Sequence, residues 1–504
     1  MQGLTVVLPY QGHPWFMQML QNLLAFPAVL DIITVHPGGL KPPPGMFRSF
    51  EAPSISGGAL WNRLIGEIRT RHLLLIQESH EIAWGPGALD RLLDVAETAK
   101  AGMAYADYFD LQAGQSREHS VNDYQLGSIR DDFNFGPVLL VSISAARSAL
   151  EKYGAIPELS HAGLYDLRLK ISTDHLLFHL QEYLYTNILP VKGSLPIHAN
   201  GQEGGSRPAE EKHFDYVDSR YQAVQREMEA VATAHLQRLG AWLNPAFKEV
   251  PACILRSPVE VSVIIPVRDR RSTIADAVQS ALSQETDFSF NVIVVDNHST
   301  DGTTKILTEL AQRFPTVKHL VPKRSDLGIG GCWNEAIYAD CCGRYAVQLD
   351  SDDLYGGPRT LQKIVDVFRN EPYAAVIGAY TLVNEKLDII PPGLIDHREW
   401  TADNGRNNAL RINGLGAPRA YRTDLLRQIG FLNVSYGEDY AAVLRLSREY
   451  RLGRIYESLY LCRRWNDNTD AGLSVEKINR NDAFKDKIRT LEIMARRSLA
   501  SWKT

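Results

Sequence analysis

Two uncharged runs set the plan of the C-terminal half. Val261-Ser262-Val263-Ile264-Ile265-Pro266 and Val292-Ile293-Val294-Val295 read as buried strands. Between them Ile274, Val278, Ala281 and Leu282 recur at helical spacing. Beyond the turn residues Asn297 to Gly302, the set Ile306, Leu307, Leu310 and Phe314 marks the next amphipathic helix. Strand, helix, strand, helix implies parallel βαβ units, whose ligands sit at the carboxyl ends of the strands.

The N-terminal half repeats this plan. Val6-Val7-Leu8-Pro9 matches the opening strand, and Asp31-Ile32-Ile33-Thr34-Val35-His36 the second. Pro86 precedes Leu89 by the interval at which Pro358 precedes Leu361, and Leu89, Leu92, Leu93 and Ala96 share the spacing of Leu361, Ile364, Val365 and Phe368. Tyr108 and Tyr380 follow at one distance, and Glu182, Leu184 and Tyr185 echo Glu457, Leu459 and Tyr460. Helical periodicity alone recurs by chance, but the shared proline and tyrosine offsets point to an internal duplication. A chain of 504 residues accommodates two domains of about 200–250 residues each. The charged, helix-forming stretch 208–245 and the breaks at Pro251 and Pro258 separate the halves. The expected division is a first domain over 1–207, a helical linker and connector over 208–257, and a second domain over 258–504.

A formal charge of −5, with basic clusters no longer than Arg268-Asp269-Arg270-Arg271, argues against a nucleic-acid partner, which needs a basic face. The five cysteines (Cys253, Cys332, Cys341, Cys342 and Cys462) show neither CxxC nor Cys/His spacing, so neither a zinc site nor a disulfide framework is expected. The first residues lack the basic start and apolar run of a signal peptide, and no stretch approaches the roughly 20 apolar residues that span a bilayer. The expectation is a cytoplasmic protein whose membrane contact, if any, is peripheral.

The densest chemical signal is Tyr345-Ala346-Val347-Gln348-Leu349-Asp350-Ser351-Asp352-Asp353, a buried strand that delivers three carboxylates to its carboxyl end. Such a group repels itself unless a cation joins it, and hard oxygen ligands suit Mg2+ or Mn2+. The plain alternative is an acidic surface turn leading into Gly356-Gly357-Pro358.

Several motifs then follow one another in order. They are Pro266 after a strand, Val-Val-Asp-Asn-His-Ser-Thr-Asp-Gly at 294–302, Leu-Asp-Ser-Asp-Asp at 349–353, and Gly437-Glu438-Asp439. Over roughly residues 258–470 the chain resembles a family 2 glycosyltransferase. The resemblance implies an α/β fold with two domains of the GT-A, Rossmann-like type joined by a helical linker. It further implies inverting transfer of a sugar from a nucleotide-sugar donor, a UDP-sugar by default, to a hydroxyl of a glycan or lipid-linked acceptor in surface glycan or polysaccharide synthesis.

Site residues carry over by position. Asp352 would be the principal metal ligand and Asp350 would lie towards the ribose, while Asp353 either orders the loop or assists the metal. Asp439 would be the general base, with Glu438 in reserve. Asp296 would meet the nucleotide base, and Asp326 or Asn334, in the glycine-rich segment 325–334, would meet the donor. Arg463 or Arg464 would meet the pyrophosphate, because guanidinium pairs well with phosphate oxygens. Pro266 and Asp269 complete the donor-binding set. Two departures stand out: the chain has Asp-Asn-His-Ser at 296–299 where the family has Asp-Asp-Gly-Ser, which leaves the base open, and the 463–468 segment has no His to add a metal ligand. Oligomeric state, a homo-oligomer included, is not fixed by the sequence.

The first half lacks the catalytic set. Its strand His72 to Ile76 ends in Gln77-Glu78-Ser79-His80 where the second half has Asp-Ser-Asp-Asp, His36 falls where Asp296 stands, and Ala162-Gly163-Leu164 falls where Gly-Glu-Asp stands. A degenerate transferase-like domain is expected there, serving acceptor binding, a shared groove or dimerisation. Two rival readings remain for the whole chain: a nucleotidyltransferase, and a non-catalytic carbohydrate-binding or scaffold protein.

Overall fold

The computed structural model describes residues 3–45, 47–78, 80–189, 221–253, 256–464 and 473–501. The apolar runs form two sheets. The first holds β1 (Leu4–Pro9), β2 (Val29–His36), β3 (Arg48–Glu51), β4 (His72–Ile76), β5 (Glu81–Trp84), β6 (Met103–Gln112), β7 (Gln115–His119), β8 (Val138–Ser142) and β9 (Leu177–Ile188). The second holds β10 (Val261–Val267), β11 (Phe290–Asp296), β12 (Val317–Leu320), β13 (Tyr345–Gln348), β14 (Leu354–Tyr355), β15 (Ala375–Val383), β16 (Ile389–Ile395), β17 (Arg419–Arg422) and β18 (Leu452–Arg463).

Both sheets have one topology. Their orders are β3-β2-β1-β4-β8-β6-β9-β5 and β12-β11-β10-β13-β17-β15-β18-β14, with β7 added to β6 and β16 to β15. In each, the first four strands of that order run parallel, and the two hairpin-like pairings onto the fifth strand are antiparallel. The mixed α/β class and the internal duplication expected from sequence are what the strand order displays.

The duplicated residues occupy matching places. Tyr108 pairs with Tyr185 as Tyr380 pairs with Tyr460. Gly85 N–H donates to Leu184 O at 3.0 Å, and Gly356 N–H donates to Leu459 O at 2.8 Å. A surface ion pair is also repeated: Arg91 to Glu182 at 2.6 Å and Lys363 to Glu457 at 2.7 Å. The shared leucine spacing forms buried stripes, with Leu89, Leu92 and Ala96 inward on helix Ala88–Thr98 and Leu361, Ile364, Val365 and Phe368 inward on helix Thr360–Asn370.

The contacts divide the chain differently from the expected boundaries. One unit gathers the described residues up to 189 together with 221–242 and 474–501, and the other comprises the described residues of 243–473. The described part of the segment 208–257 divides between the two units. Helix Gln222–Arg238 belongs to the first unit. Beyond it, Leu243 N–H donates to Asn407 Oδ1 at 3.0 Å and Arg406 Nη2 donates to Ala246 O at 2.9 Å, both within the second unit. Residues 208–220 lie outside the described residues.

The final helix, Val475–Ser501, returns to the first unit. Its Asp486 accepts from Ser128 Oγ at 2.8 Å, and Thr490 Oγ1 accepts from Gly127 N–H at 2.8 Å. The sequence hid this docking because the buried face of the helix is charged: Asp486, Arg489, Glu492 and Arg496 are all buried, so no apolar stripe announces it. Among the described residues no helix is long and apolar enough to cross a membrane.

One further contact closes the first unit. Glu227, on helix Gln222–Arg238, accepts from three successive backbone N–H groups, those of Ser160, His161 and Ala162, at 3.0, 2.8 and 3.1 Å. These amides lead directly into helix Gly163–Asp174. Burial works against the charge on Glu227, but the three amides hold its carboxyl below the usual glutamate range.

Candidate active site

The site of the second unit grows from the end of β13. Tyr345, Ala346 and Val347 are buried in the sheet, and after Gln348 the chain turns so that Asp353 N–H donates to Asp350 O at 3.2 Å. The Tyr460 hydroxyl, on β18, accepts from Asp350 N–H at 2.9 Å. Gln348 is the pivot. Its Nε2 donates to both carboxylate oxygens of Asp350 at 3.1 Å, and its Oε1 accepts from Arg419 Nη1 at 2.8 Å. Arg419 Nη2 in turn meets Asp439 Oδ2 at 2.7 Å.

Asp439 and Glu438 stand in the first turn of helix Glu438–Ser447, which starts after Gly437 at φ 79°. That left-handed conformation suits glycine, and the amide-rich helix start favours carboxylates. Motifs far apart in the chain are thus joined at one place.

The local electrostatics is strained. Burial raises the Asp350 carboxyl to about 6, and the neighbouring charges of Asp352 and Asp439 add to the shift. Burial also raises Asp353 well above the carboxylate range, with Asp350 and Asp352 contributing. Glu438 is pushed up to about 8 by burial and by Asp439. Its Oε2 is buried with no hydrogen-bond partner. Burial disfavours the charge on Arg419, but the surrounding Asp439 and Asp350 carboxylates hold its pKa above the usual arginine value.

The three aspartates divide the work. Asp352 is partly exposed, with its Oδ2 3.7 Å from Arg270 Nε. Asp353 is a loop organiser, buried, with Oδ1 accepting from Arg463 N–H at 2.8 Å. Among the described residues no three His, Cys, Asp or Glu side chains converge as a complete metal cage. Asp350 and Asp352 nonetheless match the donor set that Mg2+ or Mn2+ takes when waters and substrate phosphates complete the shell.

The donor-binding candidates fare unevenly. Asp296 is 0% exposed. Its carboxylate accepts from Ser299 N–H at 3.0 Å and Thr304 Oγ1 at 2.5 Å, with His319 Nε2 at 3.4 Å. Burial would raise its pKa, but these hydrogen bonds prevail and lower it. As placed, Asp296 braces the turn and offers no open face to a base. Asp269 braces the same turn, accepting from Thr300 N–H at 2.6 Å. Pro266 sits half-buried in β10 opposite Val295.

Asp326 forms an exposed ion pair with Arg324 at 2.6 Å. Asn334 uses both ends of its amide on Phe431, donating to its O and accepting from its N–H at 2.9 Å each, so it pins helix Ile329–Tyr338 instead of facing a ligand. Arg463 also meets protein groups: its Nε donates to Asp352 O, and Nη1 reaches Asp276 Oδ2 at 3.3 Å. Arg464 is half-buried and its N–H donates to Val383 O at 2.8 Å. Residues 465–468 lie outside the described residues.

Sequence reasoning missed Gln348 and Arg419. Neither lies in a motif, and Gln348 reads as one more residue of a buried strand. An arginine inside the strand Arg419–Arg422 was the available signal, since a buried charge requires a partner.

In the first unit the same place is filled differently. Ile143 N–H donates to Arg71 O as Thr423 N–H donates to Arg344 O, which puts β4 and β13 in one register. Gln77 then stands at the Asp350 position and His80 at that of Asp353. Gln77 Nε2 donates to Gly136 O at 2.7 Å, and His80 Nδ1 lies 3.3 Å from Asn187 Oδ1.

The match to a known family falls within the second unit. Residues 262–430 match the model of the glycosyl transferase family 2. An uncharacterized glycosyltransferase of Nostoc sp. (strain PCC 7120) is 31% identical over 127 residues, 25% of this chain and 38% of that protein. The chondroitin synthase of Escherichia coli is 36% identical over 137 residues, 27% of this chain and 19% of that protein. The matches thus span less than half the length of either relative. The crystal structure of S. aureus TarS 1–349 with UDP-GlcNAc aligns at 22% identity and a TM-score of 0.36, over 47% of this chain and 72% of that one. The second unit of this chain carries a glycosyl transferase family 2 domain.

Proposed function

We propose that the second unit is an inverting, divalent-cation-dependent glycosyltransferase that moves a sugar from a nucleotide-sugar donor to an acceptor hydroxyl. The observation that carries this reading is the junction of two carboxylate sets. Asp350, at the acidic end of β13, and Asp439, at a helix start, are tied through Gln348 and Arg419 into one site.

On this reading Asp350 and Asp352 hold the cation, and their mutual repulsion fits that task. A bound Mg2+ or Mn2+ would neutralise charge on the departing nucleoside diphosphate. Asp439 takes the proton of the acceptor hydroxyl as its oxygen attacks the anomeric carbon. The bond from that carbon to the diphosphate oxygen breaks as the new one forms, so a single displacement inverts the centre. Glu438, raised to about 8, keeps its proton at neutral pH, which leaves Asp439 as the base. The donor base is met by something other than the Asp296 side chain, whose oxygens are already engaged.

The names of the relatives, chondroitin synthase among them, support a polysaccharide acceptor. The first unit, without matching carboxylates, is assigned a non-catalytic role. The test is nucleoside diphosphate release from UDP-, GDP- and dTDP-sugars with Mn2+, with EDTA and Asp352→Ala as controls. Release from one donor, lost in both controls, is the expected result. Absence of both nucleoside diphosphate release and calorimetric binding of any donor would remove the reading.

A further inference from the structure

We propose that Arg419 is a positioning residue that sets the separation between the base and the cation-binding carboxylate. This role rests on the glycosyltransferase reading of the same site. The two nitrogens at the end of one guanidinium serve different partners, Nη1 donating to Gln348 Oε1 at 2.8 Å and Nη2 meeting Asp439 Oδ2 at 2.7 Å. Gln348 passes the constraint to Asp350 by donating to both of its oxygens at 3.1 Å. Asp350, Gln348, Arg419 and Asp439 therefore form one chain of hydrogen bonds from the leaving-group side of the site to the proton-accepting side.

The anchor of that chain is stiff. Arg419 lies on β17, held between β13, where Val347 pairs with Ala420, and β15, where Ile377 pairs with Arg419. Its backbone N–H also donates to Gln348 Oε1, at 3.2 Å, so backbone and side chain both fix the same amide. The Arg419 side chain is 15% exposed, which shields the contacts from competing water. A planar fork is needed for this geometry, because a lysine ammonium on a flexible stem does not fix two partners at a set angle. A displacement of about 1 Å in a reacting group costs on the order of 100-fold in rate.

The test uses the full chain and four single variants, Arg419→Met, Arg419→Lys, Gln348→Leu and Asp439→Asn, with the double variant Arg419→Met/Asp439→Asn. Folding is checked by thermal melting, Mn2+ alone is titrated calorimetrically, and kcat and KM are read from nucleoside diphosphate release with the donor that the wild type uses. Arg419→Met is expected to lower kcat by about 100-fold while KM for the donor stays within about 3-fold. Arg419→Lys should recover only part of the loss. In the Asp439→Asn background at saturating Mn2+, Arg419→Met should add less than about 3-fold, because the base it positions is already removed. Mn2+ affinity should fall several-fold in both Arg419→Met and Gln348→Leu.

A folded Arg419→Met enzyme with unchanged kcat, or a full additive loss on top of Asp439→Asn, would overturn the proposal. If Arg419→Met does not fold, Arg419→Lys and Gln348→Leu carry the same comparison. If the wild type releases no nucleoside diphosphate, the transferase reading fails on that result. The Mn2+ titration then judges the relay separately, and equal affinity in wild type, Arg419→Met and Gln348→Leu would refute it.

Discussion

Asp486→Ala tests whether the last helix is part of the first unit. Asp486 is 0% exposed. It accepts from Ser128 Oγ at 2.8 Å and from Arg489 Nη1 at 2.7 Å, and Arg130 Nε lies 3.4 Å from it. Removing the carboxylate strips a buried charge partner from two guanidinium groups whose side chains are 2% and 0% exposed. Breaking a buried ion pair from one side costs about 3–5 kcal/mol. Arg130 keeps Asp132 at 2.8 Å and Asp482 at 3.2 Å, which points to the lower end, about 3 kcal/mol.

With a urea dependence of about 2 kcal/mol per molar, that loss moves the unfolding midpoint down by about 1.5 M. Hydrogen exchange during the titration assigns the shift, which should fall on peptides of the first unit and spare those of 256–464. Asp132→Ala is the control, because Asp132 is 55% exposed, so water can replace its carboxylate beside Arg130 and the loss should be the smaller of the two. A midpoint for Asp486→Ala no lower than that of Asp132→Ala would refute both the docking and the revised boundary.

Other perturbations reach different parts of the molecule. A Cβ on Gly330 would lie 1.9 Å from Leu432 O and 2.9 Å from Glu438 Cβ, so Gly330→Ala must displace helix Ile329–Tyr338 or the helix bearing Asp439. Nucleoside diphosphate release should fall on the order of 100-fold. Asn334→Ala should lower the melting temperature through loss of two hydrogen bonds, about 1–3 kcal/mol, while leaving donor KM unchanged. His235 is lowered to about 3, by burial and by Arg238 and Arg168, against 6.5 when unfolded. Its stabilising effect is complete above pH 6.5 and declines as pH falls towards 3, since only the unfolded state takes up the proton. Below pH 6.5 denaturation should lose about 1.4 kcal/mol per pH unit from this group, a slope that His235→Gln should remove.

The sheets were legible in the sequence because their strands are uninterrupted apolar runs, and burial on both faces leaves little else that such runs can do. The duplication was legible for a different reason. Tyr108 and Tyr380 hold the same pairing partner in each sheet, so selection for one register left one spacing in both halves. What failed to show was polar and long-range. The closing helix docks through charges, whose partners on the Ser128–Arg130 loop are over 350 residues away in sequence. Asn334 and Arg463 were plausible ligand contacts by position, yet each meets protein groups that position alone cannot reveal. Asp296 sits at its expected place, and its geometry shows a brace for the turn.

The Glu227 contact has a consequence for what the first unit can bind. The starts of helices Gly163–Asp174 and Glu438–Ser447 make the same electrostatic demand, and each receives a carboxylate. In the second unit the acid belongs to the helix itself. In the first, beside the helix's own Asp166, a second acid arrives from another helix and takes three amides at once. A tethered ligand of this kind acts at an effective concentration of about a millimolar or more, however dilute the solution. A free phosphate or another small anion would have to outcompete a carboxylate that never diffuses away, so that corner of the first unit is closed to free anions.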